Sequence, residues 1–402
     1  MRINGRMIVL LVILIATPIC SHAADSKPSQ TNLCSIVDSR GVRVTLPPGI
    51  DRVVTISDGF IEGVMTVFGV QKRLVGVGSS CLTQKDYRFS FPLEGEQTRD
   101  YAQGMHTVTL LNPWIADLPL IAVWNSAPNY EKIASLNPDL AIIRVGSCWH
   151  WRDDDQVAKS IRMIESLGIP VVVLKSPNTY DAPDLATLYN EIEILGQLFD
   201  REEKAATLVR YLRAQVDTVS RRTGSIPEAR RTRVLLLGLS PKSREAGGAG
   251  VAVGRGTTDT FLLEHIVRGV NAFQESGNFK VLGTEQILAL APDAIVLPTA
   301  WGYHPPQELY EAPYYADLRQ MAAVKNRRVA ALPFTPCNCD KRLEYPIDIM
   351  VMAKAAYPDR FADIDLADWL IDFYRKVYGV DEKTAKRLRA VQWMDWTLSI
   401  RE

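Results

Sequence analysis

"NYEKIASLNPDLAII", Asn129 to Ile143, returns in altered form as "GTEQILALAPDAIVL", Gly283 to Leu297. The copies stand 154 residues apart and agree at Glu131/Glu285, Ile133/Ile287, Leu136/Leu290, Pro138/Pro292 and Asp139/Asp293. Each reads as a short helix with apolar residues at helical spacing. A Pro stops it, an Asp turns the chain, and an apolar run enters a buried strand. A repeat of about 20–50 residues signals a solenoid. This one has the size of a domain, so it predicts two lobes of one architecture.

The flanking sequence supports that reading. "CSIVDSRGVRVTLPPGIDRVVTI" gives a strand, a turn at Ser39–Arg40–Gly41, a second strand, a Pro-Pro stop and a third strand. "SDGFIEGVMTVFGV" is helical, with Phe60, Val64, Val67 and Phe68 on its apolar face. The runs "RLVGVG", "AIIRV", "VVVL", "VLLLGL", "AIVL" and "VAALPF" read as strands between helical patterns. This alternation predicts an α/β chain with mainly parallel sheets. Between the repeats, residues 184–222 contain no Pro and carry apolar residues at helical spacing from Leu188 to Val216. They predict one long linking helix, with an elbow at Gly196 or Asp200 as the alternative. The lobes are then residues 34–183 and 231–402, and the helical C-terminal 50 residues are expected to pack on the second lobe.

The chain begins with Arg2 and Arg6, an apolar run from Met7 to Ala16, and "TPICSHAAD". This is the pattern of a secretory signal, residues 1–23, cleaved after Ala23 or Ala24. The apolar run is short of the roughly 20 residues that span a membrane. Cys20 lacks the residues that usually precede a lipidated cysteine. The whole chain balances 46 basic against 46 acidic residues. Losing Arg2 and Arg6 leaves a net charge of −2, with no basic excess for nucleic acid. Five cysteines remain, Cys34, Cys81, Cys148, Cys337 and Cys339. Export permits disulfides, and an odd count leaves at least one thiol outside an internal pair.

The layout resembles the extracytoplasmic substrate-binding proteins of ABC importers for iron–siderophores, haem and cobalamin. The resemblance rests on Ile36 to Val54, "GVQKRLVGV" at Gly69 to Val77, "EKIASLNPDL" at Glu131 to Leu140 and "SLGIPV" at Ser166 to Val171. In the second half it rests on "VGRGTTDTFLLEHIVRGVNAF" and "EQILALAPDAIV". It covers about residues 34–380, and the order of the motifs carries it more than any one of them. It implies two Rossmann-like lobes joined by one long helix, a monomer in the periplasm, and an inner-membrane ABC permease dimer as partner. It also implies that Glu131 and Glu285 dock against arginines of the two permease subunits. An exposed Glu in a first helical turn is equally explained by the helix dipole.

Ligands of doubly wound sheets bind beyond the carboxyl ends of the strands. Those ends carry Ser57, Trp149, Trp151, Trp301, Tyr303, His304, Arg342 and Tyr345, the candidate ligand-binding residues. Aromatic rings and Arg at such tips suit a large anionic chelate, with Arg342 the best single contact. Arg144, inside a strand end, is a weaker candidate. Cys337-x-Cys339 is read as half of a disulfide with Cys81 or Cys148, with metal ligation the alternative, and no metal site is assigned. "GGAGVAVGRG" lacks the Lys-Ser/Thr of a nucleotide loop and reads as a hairpin-like loop.

No "GxSxG" or "HExxH" stands in the chain, so a binding protein is preferred to an exported enzyme or a sensor. No resident cofactor is expected. The expected cargo is a metal chelate, iron–siderophore first, with cobalamin, haem or a molybdate or tungstate oxyanion as alternatives.

Overall fold

The computed structural model describes residues 35–147, 149, 155–239, 241–277, 279–298, 304–336 and 340–401. The expected signal segment and Cys34, Cys148, Trp151, Trp301, Tyr303, Cys337 and Cys339 lie outside the described residues.

Strands β1 (Ser35–Val37) and β2 (Arg43–Thr45) form the expected opening hairpin. Strands β3 (Val53–Ile56), β4 (Leu74–Val77), β7 (Leu140–Val145) and β8 (Val171–Lys175) form a parallel sheet in the order β4-β3-β7-β8. The intervening β5 (Tyr87–Pro92) and β6 (Thr98–Gly104) make a separate antiparallel hairpin. The second sheet runs β12-β10-β9-β13-β14, from β9 (Arg233–Gly238), β10 (Gly250–Ala252), β12 (Lys280–Leu282), β13 (Ala294–Leu297) and β14 (Val329–Ala331). Strand β11 (Val270–Asn271) pairs with β9. Strands β9, β11, β13 and β14 are parallel, whereas β10 pairs antiparallel with both β9 and β12. The Gly-rich stretch thus supplies a strand, β10, where a loop was expected.

The opening repeat has a physical cause. Asp139 Oδ2 accepts from the backbone N–H of Asp51 and Arg52, both at 2.8 Å, and so ties β7 to the start of β3. Asp293 Oδ2 accepts from Arg233 N–H at 2.9 Å and ties β13 to the start of β9. Arg52 and Arg233 in turn donate to the carbonyls of Leu136 and Leu290, the C-terminal ends of the two repeat helices. Asn137 and Ala291 take the same left-handed conformation, φ 44° and 41°. The shared "L-x-P-D" is a strand-entry device used twice. It leaves Glu131 and Glu285 exposed in the first turns of helices Tyr130–Ser135 and Thr284–Leu290.

The linking segment is not one continuous helix. It forms Ala186–Leu198 and Glu202–Thr223, broken where Asp200 turns left-handed at φ 53°. Gly196 is not the elbow. It lies within the first helix, and a Cβ there would meet the Ala205 methyl at 2.6 Å, so its missing side chain lets the second helix pack against the first. The first helix packs on β1 and β8, the second on the helix Tyr345–Ala356 of the second lobe.

Two further elements cross between the lobes. The β5–β6 hairpin packs Phe91, Phe89 and Tyr101 into the second lobe's core, and Arg99 pairs with Glu311 at 2.8 Å. The C-terminal helices Leu366–Tyr378 and Glu382–Val391 were expected on the second lobe alone, but they bridge both. Val391 accepts from Met105 N–H and Gln392 donates to Thr107 on the first-lobe side, while the Gln392 carbonyl accepts from Phe334 N–H in the second. Trp393 stacks on Phe334 with ring centres 4.2 Å apart and donates to Ala102 O at 2.9 Å. Their contact needs Gly104, where a Cβ would lie 2.5 Å from the Trp393 ring.

Candidate functional site

The end of β3 runs into Ser57, Asp58 and Gly59, and the chain after β14 runs to Asp340, Lys341 and Arg342 on the facing lobe. All of these side chains are buried. Gly59, φ 102°, opens the helix Phe60–Phe68, and a Cβ there would lie 2.2 Å from His106 Nε2. The space is needed because His106 Nε2 lies 3.1 Å from the Asp58 carbonyl, while Nδ1 accepts from Val108 N–H at 3.1 Å. This pair of contacts fixes the neutral, Nε2-protonated ring. Burial, reinforced by the positive charge of Arg342, holds the His106 pKa well below the usual imidazole value.

Arg342 is 5% exposed, and its Nε and both Nη atoms have no hydrogen-bond partner among the described residues. Burial lowers its pKa against the opposing fields of Asp58 and Glu344. Those carboxylates keep the guanidinium ionised without spending its donors. Thr335 Oγ1 is also buried without a partner. Arg342, Thr335, Glu344 and Tyr345 line a common cavity of about 20 Å³. The cavity thus gathers the unspent donors of Arg342, Thr335 and Tyr345 beside the carboxylates of Asp340, Glu344 and Asp348, and unpaired buried donors favour an acceptor.

The neighbouring cations are already spent. Arg144 donates through Nε and Nη2 to the two oxygens of Glu191 at 2.6 and 2.7 Å. Its Nη1 donates to Lys341 O at 2.8 Å and lies 2.5 Å from Asp340 Oδ2, and its plane covers Phe60 at 3.9 Å. Lys341 Nζ pairs with Asp259 at 2.5 Å and Asp348 at 2.7 Å. Burial pushes the Asp340 carboxyl up to about 7 in spite of Arg144. Burial does the same to Glu62, also to about 7, although the Thr55 hydroxyl donates to it at 2.5 Å.

The other candidates fall in varied places. Ser57 is buried beside Asp58, and its Oγ accepts from Ile61 N–H at 3.3 Å. Trp149 is buried and donates through Nε1 to Ser126 O at 2.9 Å. His304 is buried 3.4 Å from Glu308, with its ring edge-on to Phe89 of the hairpin. Tyr345 stands at the start of its helix, and its phenol neighbours Tyr189 of the linking segment. Arg342 and Tyr345 therefore share a cavity, whereas Trp149 and His304 are anchored in separate packing environments. Cys81 is in a disulfide whose partner lies outside the described residues. No group of three or more potential metal ligands occurs among the described residues. Asp58 was legible as the neighbour of Ser57. His106, Glu62 and Glu191 gave no signal, since none belongs to a motif and none follows a strand-like run.

A family model described as periplasmic binding protein matches residues 125–336, more than half of the chain. The molybdate-binding protein MolA of Haemophilus influenzae is 22% identical over 368 residues, covering 87% of this chain and 92% of that protein. A periplasmic solute binding protein from Veillonella parvula superposes with a TM-score of 0.69 at 20% identity, over 92% of this chain and 100% of that one. The Haemophilus influenzae MolA structure with molybdate bound gives a TM-score of 0.64 at 20% identity, over 87% and 98%. At these identities the structural likeness establishes the fold. No helix among the described residues is long and apolar enough to cross a membrane.

Proposed function

This chain belongs to the periplasmic binding protein family, and from that premise we propose that it is the substrate-binding component of an ABC importer, capturing an oxyanion of the molybdate type between its lobes. The observation that carries the reading is Arg342, a buried guanidinium whose donor nitrogens have no partner among the described residues, beside the Thr335 hydroxyl, which has none there either. A buried charge of this kind costs stability unless a ligand completes it. A chelate was favoured for its aromatic contacts, yet Trp149, His304 and Tyr345 are buried within the protein. Molybdate binding by a relative that aligns along most of both chains points the same way.

A second reading, an anionic metal chelate such as iron–siderophore, is favoured by the position of Trp151, Trp301 and Tyr303 at strand tips in the sequence. Delivery to a permease is supported by Glu131 and Glu285, which are exposed at equivalent positions of the two lobes. Neither has an ion-pair partner among the described residues, so both carboxylates are open to a basic surface.

Calorimetric titration of metal-stripped protein with molybdate, tungstate and a ferric catecholate tests the choice. Saturable one-to-one binding of the oxyanions is expected. Binding of the ferric catecholate alone selects the second reading.

A further inference from the structure

Few large apolar side chains among the described residues are exposed, and three of them stand just ahead, in the chain, of the two candidate docking glutamates. Trp124 is 65% exposed and Val123 46%, and Val281, in β12, is 38% exposed. In the first lobe, Asn129 N–H donates to Ile121 O at 2.8 Å and closes the loop that carries Val123 and Trp124. Asn129 is also the cap of the helix that begins with Tyr130 and Glu131, so the Trp and the Glu flank one small loop. In the second lobe, Val281 is followed by the buried Leu282 and by Gly283, the cap of the Glu285 helix.

The Trp124 loop is held in place. Asn125 N–H donates to Trp149 O, Trp149 Nε1 donates back to Ser126 O, and Ser126 donates to Val123 O from both its N–H and its hydroxyl. The indole is therefore displayed on a rigid support, which keeps the entropy lost on association small. An aromatic anchor beside a carboxylate suits a partner surface that is apolar and basic side by side.

We infer that Trp124 with Val123 on one lobe, and Val281 on the other, supply the apolar contacts of the permease-docking face, next to Glu131 and Glu285. The inference rests on the docking reading of those two carboxylates. Both lobes then present the same chemistry, one acidic and one apolar contact each, to the two halves of a permease.

The test compares Trp124→Ala, Val281→Ser and the double variant Glu131→Ala/Glu285→Ala in their affinity for the cognate permease in nanodiscs. Ligand-free protein is used so that the cleft contributes nothing. Met163→Ala, removing an apolar side chain of similar exposure on the helix Asp155–Glu165, is the control. Trp124→Ala is expected to weaken binding at least about tenfold at both low and high salt, with unchanged melting temperature. Val281→Ser is expected to have a smaller effect of the same kind. The glutamate variant is expected to lose mainly the low-salt component. Loss in the glutamate variant with wild-type binding by Trp124→Ala overturns this inference and leaves the docking reading intact. Wild-type binding by all variants overturns both. An equal loss on nanodiscs of the same lipid without permease assigns Trp124 to the membrane surface and also overturns it.

Discussion

Arg144 and Arg342 are both buried, both at the junction of the lobes, and opposite in every other respect. Arg144 is spent on Glu191, Asp340, the Lys341 carbonyl and the Phe60 ring. Burial works against its charge, and the carboxylates of Asp340 and Glu191 overcome it, so its pKa is raised. Arg342 has no hydrogen bond, and burial prevails, so its pKa is lowered. One arginine holds the lobes together and the other waits for something to hold. Burial alone does not distinguish architecture from function; the state of the donors does.

The largest expected effect is on the spent arginine. Arg144→Leu strands the Glu191 and Asp340 carboxylates in the interior, and chemical denaturation should register a loss of about 3–5 kcal/mol. A loss below about 1 kcal/mol would remove Arg144 from the architectural side. Next comes the unspent one. Arg342→Gln should leave stability unchanged or slightly higher, because it removes a buried cation whose donors make no hydrogen bond among the described residues. Molybdate affinity, read by calorimetry, should fall at least about 100-fold, the loss of about two charge-assisted hydrogen bonds. Reduced stability with intact affinity would reverse the two roles.

Glu62 extends the comparison to an acid. Its folded pKa of about 7 lies above the ordinary value of 4.5. Between these values the folded protein keeps a proton that the unfolded chain releases. The stabilisation is therefore full at low pH and is lost as pH rises through about 7. Glu62→Gln keeps an acceptor for Thr55 and carries no charge, so its stability relative to wild type should grow between pH 5 and 8, by on the order of 2 kcal/mol. A pH-independent difference would mean that Glu62 is ionised in the fold. The smallest effect concerns shape. With Arg144 and the β5–β6 hairpin both joining the lobes, small-angle scattering should detect no change in radius of gyration on ligand addition. A clear decrease would place the Asp200 break in the role of a working hinge.

The fold was readable because its signals are local. The "L-x-P-D" device, the apolar strand runs and the helix periodicity each lie within a few residues, and Asp139 and Asp293 act on strands fixed by the same pattern. Arg342 was legible as the guanidinium that follows the CxC stretch after the strand-like run "VAALPF". The break at Asp200 was open in the sequence, because an Asp in the left-handed conformation costs little and leaves no mark. The hairpin of β5 and β6 escaped notice because its strands are mostly polar and half-exposed, with Phe89, Phe91 and Tyr101 the few apolar inward positions. The Arg144–Glu191–Asp340 group was out of reach for a different reason. Its members lie 47 residues apart or more, and no pattern within a window of sequence joins them.

The contacts of the C-terminal segment bear on how the chain reaches this structure. Trp393 meets Ala102 across 291 residues and Gln392 meets Thr107 across 285. The helix that starts at Thr107 therefore keeps an unfilled hydrogen-bonding position until almost the whole polypeptide is available. Closing so long a loop is slow, because its entropy is spent before the contact repays it. The first lobe is complete only with residues 391–393 in place against Ala102, Met105 and Thr107. Its hairpin flank is sealed by the last few residues of the chain, and a molecule truncated before Gln392 would carry an exposed aromatic surface around Tyr101 and Phe334, open to association with its own kind.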